Sequence, residues 1–243
     1  MPELVRLCAM GSRRLPAEGH MQSPGTHEPG PRHGPAVFDP SAPGGLEMAA
    51  EMIRDGLLVA IPTDTVYGIA TAWQHAAALD RIFVAKQRDR SKPIPLLVSS
   101  IDVLERITSR IDPAVALLLD QFWPGGLTVA IPAMAGMSPA LLAADGTVGV
   151  RMPNHRLAVE LIEHAGGIVA CTSANISGDL PARSPAEVLL ALDDLIDGVV
   201  DGGLALGGVP STVIGFAQRE LVIHREGAVS TSDLARAWAE IHA

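Results

Sequence analysis

Aromatic side chains are scarce here: three tryptophans, four phenylalanines and one tyrosine supply 3% of 243 residues. A platform that stacks successive bases needs several aromatic faces, so single-strand nucleic-acid binding of that kind is not expected. Basic residues are also outnumbered, 18 against 27 acids, leaving a formal net charge of −9. Affinity for nucleic acid rests largely on Lys and Arg neutralising phosphates, so weak or no direct binding is expected without a local basic patch. The two cysteines, Cys8 and Cys171, stand far apart and form no disulfide framework, which fits a reducing, cytoplasmic location. No apolar run approaches the roughly 18 residues a membrane span needs, and the first thirty residues lack a signal peptide's apolar stretch.

Several motifs are missing as well. There is no Walker A lysine loop and no G-x-G-x-x-G, so "DGGLALGG" (residues 201–208) reads as a flexible loop rather than a dinucleotide cradle. Without H-E-x-x-H or paired cysteines, no protein-bound zinc is expected. The histidines at 20, 27 and 33 match no ligand spacing. Cys171 has no histidine near it in sequence and reads as a small buried residue at a strand end.

What the chain does contain is 48% hydrophobic residues, enough for one sizeable core. Residues 1–45 carry eight prolines and seven glycines with four acids against four arginines. Such a segment buries too little to offset its ordering entropy, so it reads as a flexible extension. From residue 46 helical and strand patterns alternate, which predicts an α/β domain over 46–229 and a C-terminal helix over 230–243. Helices are expected at "GLEMAAEMIRDG", stopped by Gly56, and at "HAAALDRIFVA", "SIDVLERITSR", "DPAVALLLDQFW", "HRLAVELIEHAG" and "SPAEVLLALDD". Asp112 has the place of an N-cap before Pro113, and Ser184 with Glu187 the spacing of a capping box. "LLVAI", "LTVAI", "TVGVR", "GIVACT", "GVVDGG", "STVIGF" and "ELVIH" read as strands.

Polar groups gather where those strands end. "PTDTVYGIA" (62–70) follows a buried strand with Thr63, Asp64 and Thr65 and spends the only tyrosine, Tyr67. In "AKQRDRSKP" the cations Lys86, Arg88, Arg90 and Lys92 fall on every second residue. An extended chain would turn all of them to one side, where a triphosphate could neutralise them. The plain alternative is a solvated basic loop at a helix C-terminus. "CTSANISG" repeats the spacing with Ser173, Asn175 and Ser177, small polar groups suited to phosphate oxygens or to an Asx or Ser turn. Thr128, Arg151, Ser211, Thr212 and Arg225 stand at further strand ends. Together these describe a concave face lined by hydroxyls and cations, suited to an anion with many oxygens.

Six segments in this order, "PTDTVYGI", "AKQR…KP", "FWPGGLTV", "VGVRMPNH", "CTSANISG" and "VPSTVIG", resemble the YrdC-like family of threonylcarbamoyladenylate synthases over residues 46–229. The family's K-x-R and S-x-N pairs correspond to Lys86 and Arg88, and to Ser173 and Asn175. The resemblance departs at "HREG", where the family commonly has arginine, proline and glycine, and at Lys92, often asparagine. It implies a twisted mixed β-sheet with flanking helices and a concave cavity. It also implies a nucleotidyl transfer: L-threonine, bicarbonate or CO2 and ATP give L-threonylcarbamoyladenylate and pyrophosphate, for threonylcarbamoyladenosine modification of tRNA. On this reading Lys86, Arg88, Ser173 and Asn175 are catalytic. ATP is held by them with Lys92, Thr128, Arg151 and Arg225, and threonine by Thr65 with Ser211 or Thr212. Mg2+ would be held mainly by the phosphates rather than by protein ligands. The product would be handed to a tRNA threonylcarbamoyl-transferase. The alternatives are a non-catalytic RNA-binding or ribosome-assembly protein, and an inactive paralogue of the same fold.

Overall fold

The computed structural model describes residues 34–218 and 220–242. Its centre is a ten-stranded mixed sheet whose spatial order is β1-β8-β2-β3-β7-β4-β6-β5-β9-β10. In chain order the strands are β1 (Ala36–Phe38), β2 (Val59–Ile61), β3 (Gly68–Thr71), β4 (Leu96–Val98) and β5 (Leu127–Pro132). They continue as β6 (Thr147–Arg151), β7 (Ile168–Ser173), β8 (Gly198–Val200), β9 (Thr212–Ala217) and β10 (Glu220–Arg225). The helices are α1 (Gly45–Arg54), α2 (Ala76–Lys86), α3 (Pro113–Phe122), α4 (Arg156–His164), α5 (Pro185–Leu192) and α6 (Thr231–Ile241).

The two-residue period of a strand decides how the layers form. In β7, Ile168 and Ala170 join one apolar cluster, while Val169 and Cys171 join the other. Leu58, just before β2, and Ala60 within it likewise part from Val59 and Ile61. Both faces of the central strands are therefore dry, which is why they read as unbroken apolar runs rather than alternating ones. One cluster takes in α2, α3, α5 and α6 through Leu79, Ile82, Leu118, Val188 and Leu234; the other takes in α1 and α4 through Ile53, Leu161 and Ile162.

Helix ends follow their local chemistry. Asp112 accepts the Ala114 N–H at 3.0 Å, and Ser184 accepts that of Glu187 at 3.3 Å. The Glu187 carboxylate reaches back to the Arg183 N–H at 2.7 Å, closing the box one residue earlier than the motif places it. Gly56 ends α1 at φ +80°, where a side chain would also strike the His75 ring.

Several expectations change. "SIDVLERITSR" forms only a 3-10 turn over Asp102–Arg106 instead of a helix. Leu104 and Ile107 are both buried there, and residues three apart eclipse in a 3-10 turn, so one short turn seats both. "PLLV" supplies β4, a three-residue strand that no pattern marked. Ala36–Phe38, assigned by composition to the extension, pairs in parallel with β8 as an edge strand, and residues 1–33 of that extension lie outside the described residues. Helix α6, expected as a segment of its own, buries Leu234 and Ala237 in the larger core.

Candidate functional site

Lys86 is the last residue of α2, and Gln87 then turns the chain through the left-handed region at φ +49°. The lysine side chain consequently drops inward and is 1% exposed. Its Nζ donates to the Ser173 carbonyl at 2.5 Å, the Asn175 carbonyl at 2.7 Å and Asn175 Oδ1 at 2.9 Å. Those three bonds use every proton an ammonium has. Ser173 Oγ donates to Asn175 Oδ1 at 2.6 Å, and Asn175 Nδ2 donates to the carbonyls of Ile176 and Asp179 at 2.8 Å each. The Ser177 N–H returns to the Lys86 carbonyl at 2.8 Å. The K-x-R and S-x-N segments are thus knitted together. Burial, and then the neighbouring Arg88, lower the lysine pKa to about 8.

A second knot lies beyond β2. Thr63 Oγ1 donates to the Val66 carbonyl at 2.6 Å and stands 3.0 Å from Thr65 Oγ1, shaping the turn. Arg151, at the end of β6 and 5% exposed, donates from Nη1 to Thr65 Oγ1 at 2.9 Å and from Nε to the Gly125 carbonyl at 2.8 Å. Its Nη2 pairs with the Asp64 carboxylate, which also accepts the Asn154 N–H at 3.1 Å. The acid of "TDT" is therefore engaged with Arg151, and the guanidinium expected to meet ATP closes around residues 64, 65 and 125.

The third group joins β5, β9 and β10. Thr128 Oγ1 and Ser211 Oγ are 2.8 Å apart. Arg225 donates from Nη2 to the Ser211 carbonyl at 2.7 Å and to its hydroxyl at 3.2 Å. Thr212 turns away and gives its hydroxyl to the Val229 carbonyl at 2.6 Å, so Ser211 is the member of the pair that joins the cluster. Among the described residues, Arg88 is steadied by the carbonyls of Lys92 and Pro93, at 3.0 and 2.9 Å. Desolvation first, and then Arg225, push the Arg88 pKa down; desolvation and then Arg151 do the same to Arg225. Arg225 therefore faces like charge from both Arg88 and Arg151, and among the described residues no carboxylate lies within ion-pair distance of Arg88 or Arg225.

The row of alternate cations splits. Lys86 and Arg88 join the site. Arg90 turns out to Asp80 at 2.5 Å and lies over the Phe83 ring, 5.2 Å from its centroid, while Lys92 is exposed. The left-handed turn at Gln87 breaks the extended geometry that would have aligned them. Cys171 is buried, its thiol pushed up to about 12 by desolvation, as a structural residue should be. Tyr67 carries a structural part that composition alone did not reveal. Its hydroxyl donates to the Gly203 carbonyl at 2.8 Å and accepts the Gly202 N–H at 3.2 Å. Among the described residues no group of three or more His, Cys, Asp or Glu stands together, and no helix is long and apolar enough to cross a membrane.

The structure is thus a mixed-sheet α/β domain that gathers arginines and hydroxyls at its strand ends. The family model for Sua5, YciO and YrdC, described as "Telomere recombination", matches residues 51–227. The chain belongs to this Sua5/YciO/YrdC family. It is 35% identical over 198 residues to a threonylcarbamoyl-AMP synthase of Bacillus subtilis, covering 81% of this chain and 57% of that protein. A putative threonylcarbamoyl-AMP synthase of Mycobacterium tuberculosis is 33% identical over 191 residues, covering 79% and 88%. The crystal structure of P. abyssi Sua5 complexed with L-threonine superposes with a TM-score of 0.78 at 33% identity, covering 83% of this chain and 60% of that one. The chain thus spans a little over half the length of the Bacillus and Pyrococcus relatives.

Proposed function

We propose that this chain is an L-threonylcarbamoyladenylate synthase, forming that adenylate and pyrophosphate from L-threonine, bicarbonate or CO2, and ATP. The observation that carries the proposal is the convergence of Lys86, Ser173 and Asn175 with the acid-free arginines 88 and 225. The threonine amine adds to the carbon of CO2 and releases a proton to water, and a carboxylate oxygen of the resulting carbamate attacks the α-phosphorus of ATP. The bond to the β-phosphate oxygen breaks and pyrophosphate departs. Such a transfer asks the protein for positioning and charge stabilisation rather than a nucleophile. That matches a site of cations and hydroxyls beside an inert cysteine.

Arg88 and Arg225 bear on the polyphosphate, and the turn held by Lys86 presents Ser173 and Asn175 to it. Exposed Lys92 is a peripheral cation at the same rim. Thr65 faces the amino acid, with Ser211 and Thr128 on the opposite wall. The donor set fits an anion and offers no ready carboxylate cage, Asp64 being already engaged, so Mg2+ enters on the nucleotide's phosphates. The reaction takes place in the cytoplasm, and the adenylate passes to an enzyme that transfers the threonylcarbamoyl group to tRNA.

The test is pyrophosphate release with each of threonine, bicarbonate, ATP and Mg2+ omitted in turn. Release only in the complete mixture is the expected result. Release without threonine would make the chain a simple ATPase. Salt-sensitive RNA binding with no release would favour the RNA-binding alternative.

A further inference from the structure

The glycine-rich segment after β8 reads in sequence as a free loop, yet the structure fastens it along its length. Tyr67 OH donates to the Gly203 carbonyl and accepts from Gly202 N–H at one end. In the middle, the Ala205 N–H donates to the Arg183 carbonyl at 2.8 Å, and Arg183 Nε returns a bond to the Ala205 carbonyl at 3.3 Å. At the far end the Gly208 N–H donates to the Thr65 carbonyl at 2.7 Å. Gly207 lies flat on the same turn. A Cβ there would stand 2.4 Å from the Asp64 carbonyl oxygen and 3.0 Å from Thr65 Cα, and both are backbone atoms that cannot swing aside.

Little apolar burial holds this segment down. Ala205 is 3% exposed, but Leu204 and Leu206 on either side are 56% and 84% exposed. A segment tied by hydrogen bonds and bracketed by glycine pairs opens at lower cost than the core beneath it. Its two ends grip residues that frame the site: Tyr67 follows the turn at 63–65, and Gly207 and Gly208 sit on that turn. The Thr65 hydroxyl in turn accepts a hydrogen bond from Arg151 Nη1.

We propose that residues 202–208 form a strap that clamps the turn at residues 63–65 and so positions Thr65 for the amino-acid substrate. Gly207 and Tyr67 are its positioning residues. Neither touches substrate; both act through Thr65. The absence of a side chain at 207 is what lets the strap close, and the tyrosine hydroxyl fixes its near end. This inference rests on the reading that Thr65 faces L-threonine.

The experiment titrates L-threonine, and separately ATP with Mg2+, into the full chain and into Gly207→Ala and Tyr67→Phe by calorimetry. Expected are a loss of threonine affinity of at least about 10-fold for Gly207→Ala and about 3-fold for Tyr67→Phe, with ATP affinity within about 2-fold for both. A structural collapse would weaken both ligands together and overturns the proposal, as does unchanged threonine affinity in the two variants. If Gly207→Ala does not fold, Tyr67→Phe decides alone, since the ring stays and only the hydroxyl is lost. Should the parent chain bind threonine yet release no pyrophosphate, the synthase reading fails and the strap stands. Should it bind no threonine, both fail.

Discussion

Lys86 and Arg88 are two residues apart and have the same sign of charge, yet they occupy opposite kinds of surroundings. The lysine is sealed at the junction of α2 and β7 with every proton committed to neutral protein oxygens. The arginine, with Arg225 across from it, is held by backbone carbonyls and meets no carboxylate among the described residues. Burying an ammonium costs several kcal/mol, and here hydrogen bonds rather than a counter-ion offset that cost. Such an arrangement shapes a turn. The arginines have no ion-pair partner among the described residues, and Arg225 adds repulsion to Arg88 that an anion would relieve. One region gives form and the other gives field.

The substitution that would break this contrast most sharply is Lys86→Met. It removes three bonds and leaves the buried Asn175 carbonyl without a donor, while the Ser173 carbonyl and Asn175 Oδ1 keep those from the Asn175 N–H and Ser173 Oγ, so turnover in the proposed reaction should fall about 1,000-fold and stability by about 1–3 kcal/mol. Thermal unfolding alongside the pyrophosphate assay reads both, and an unchanged melting curve would make the lysine a ligand cation after all. Arg88→Ala should cost about 100-fold in turnover with less than about 0.5 kcal/mol of stability, because its carbonyl partners can turn to water. A large drop in stability there would erase the distinction between the two regions.

A pH series sharpens it further. Lys86 titrates near 8 in the folded chain against an ordinary 10.5. Below about 8 both the folded and unfolded chains carry the proton, so the burial cost is felt in full. Between the two values the folded chain gives up a proton that the unfolded one keeps, so this group's contribution to stability rises with pH. The neutral amine has one fewer donor for the turn, and ATP affinity should weaken several-fold as pH passes through about 8. Affinity and the lysine's share of stability then move in opposite directions, and the inflection in affinity should be missing in Lys86→Met. The smallest effect belongs to Arg90→Ala. Its ion pair with Asp80 is exposed, so stability should change by about 0–1 kcal/mol and turnover by less than about 2-fold. A loss rivalling that of Arg88→Ala would restore the idea of four aligned cations.

That contrast also marks where sequence reading stops. The motif pairs were legible because short runs of polar residues interrupt apolar strands, and the helices with Asp112 and Ser184 caps announced themselves. The direction of each cation was not legible. Nothing in "AKQRDR" shows that Gln87 takes φ +49°, and that single turn separates Arg90 from Arg88. Strands of three residues, Ala36–Phe38 and Leu96–Val98, are too short for a period to register. "SIDVLERITSR" has helical composition, yet the burial of Leu104 and Ile107 is met by one 3-10 turn. Asp64 read only as a polar group at a strand end because its partner, Arg151, lies 87 residues away in sequence. Tyr67 stood out only by rarity, and its partners on the strap follow 135 and 136 residues later.

One feature of the sheet's edge reaches further than its size suggests. Along β10, Ile223 faces Ile214 and Arg225 faces Val213, so two steps on one strand match a single step on its neighbour. His224 is the surplus residue, and side chains alternate faces with every step. Arg225 therefore owes its inward aim to that bulge more than to the identity of the histidine. Replacing His224 should be tolerated, and so should deleting it, which returns the ladder to one-for-one pairing with Arg225 still opposite Val213; drawing His224 into the ladder against Val213 would instead turn the guanidinium to the other face. In relatives with a different spelling along this edge, register is the property to compare.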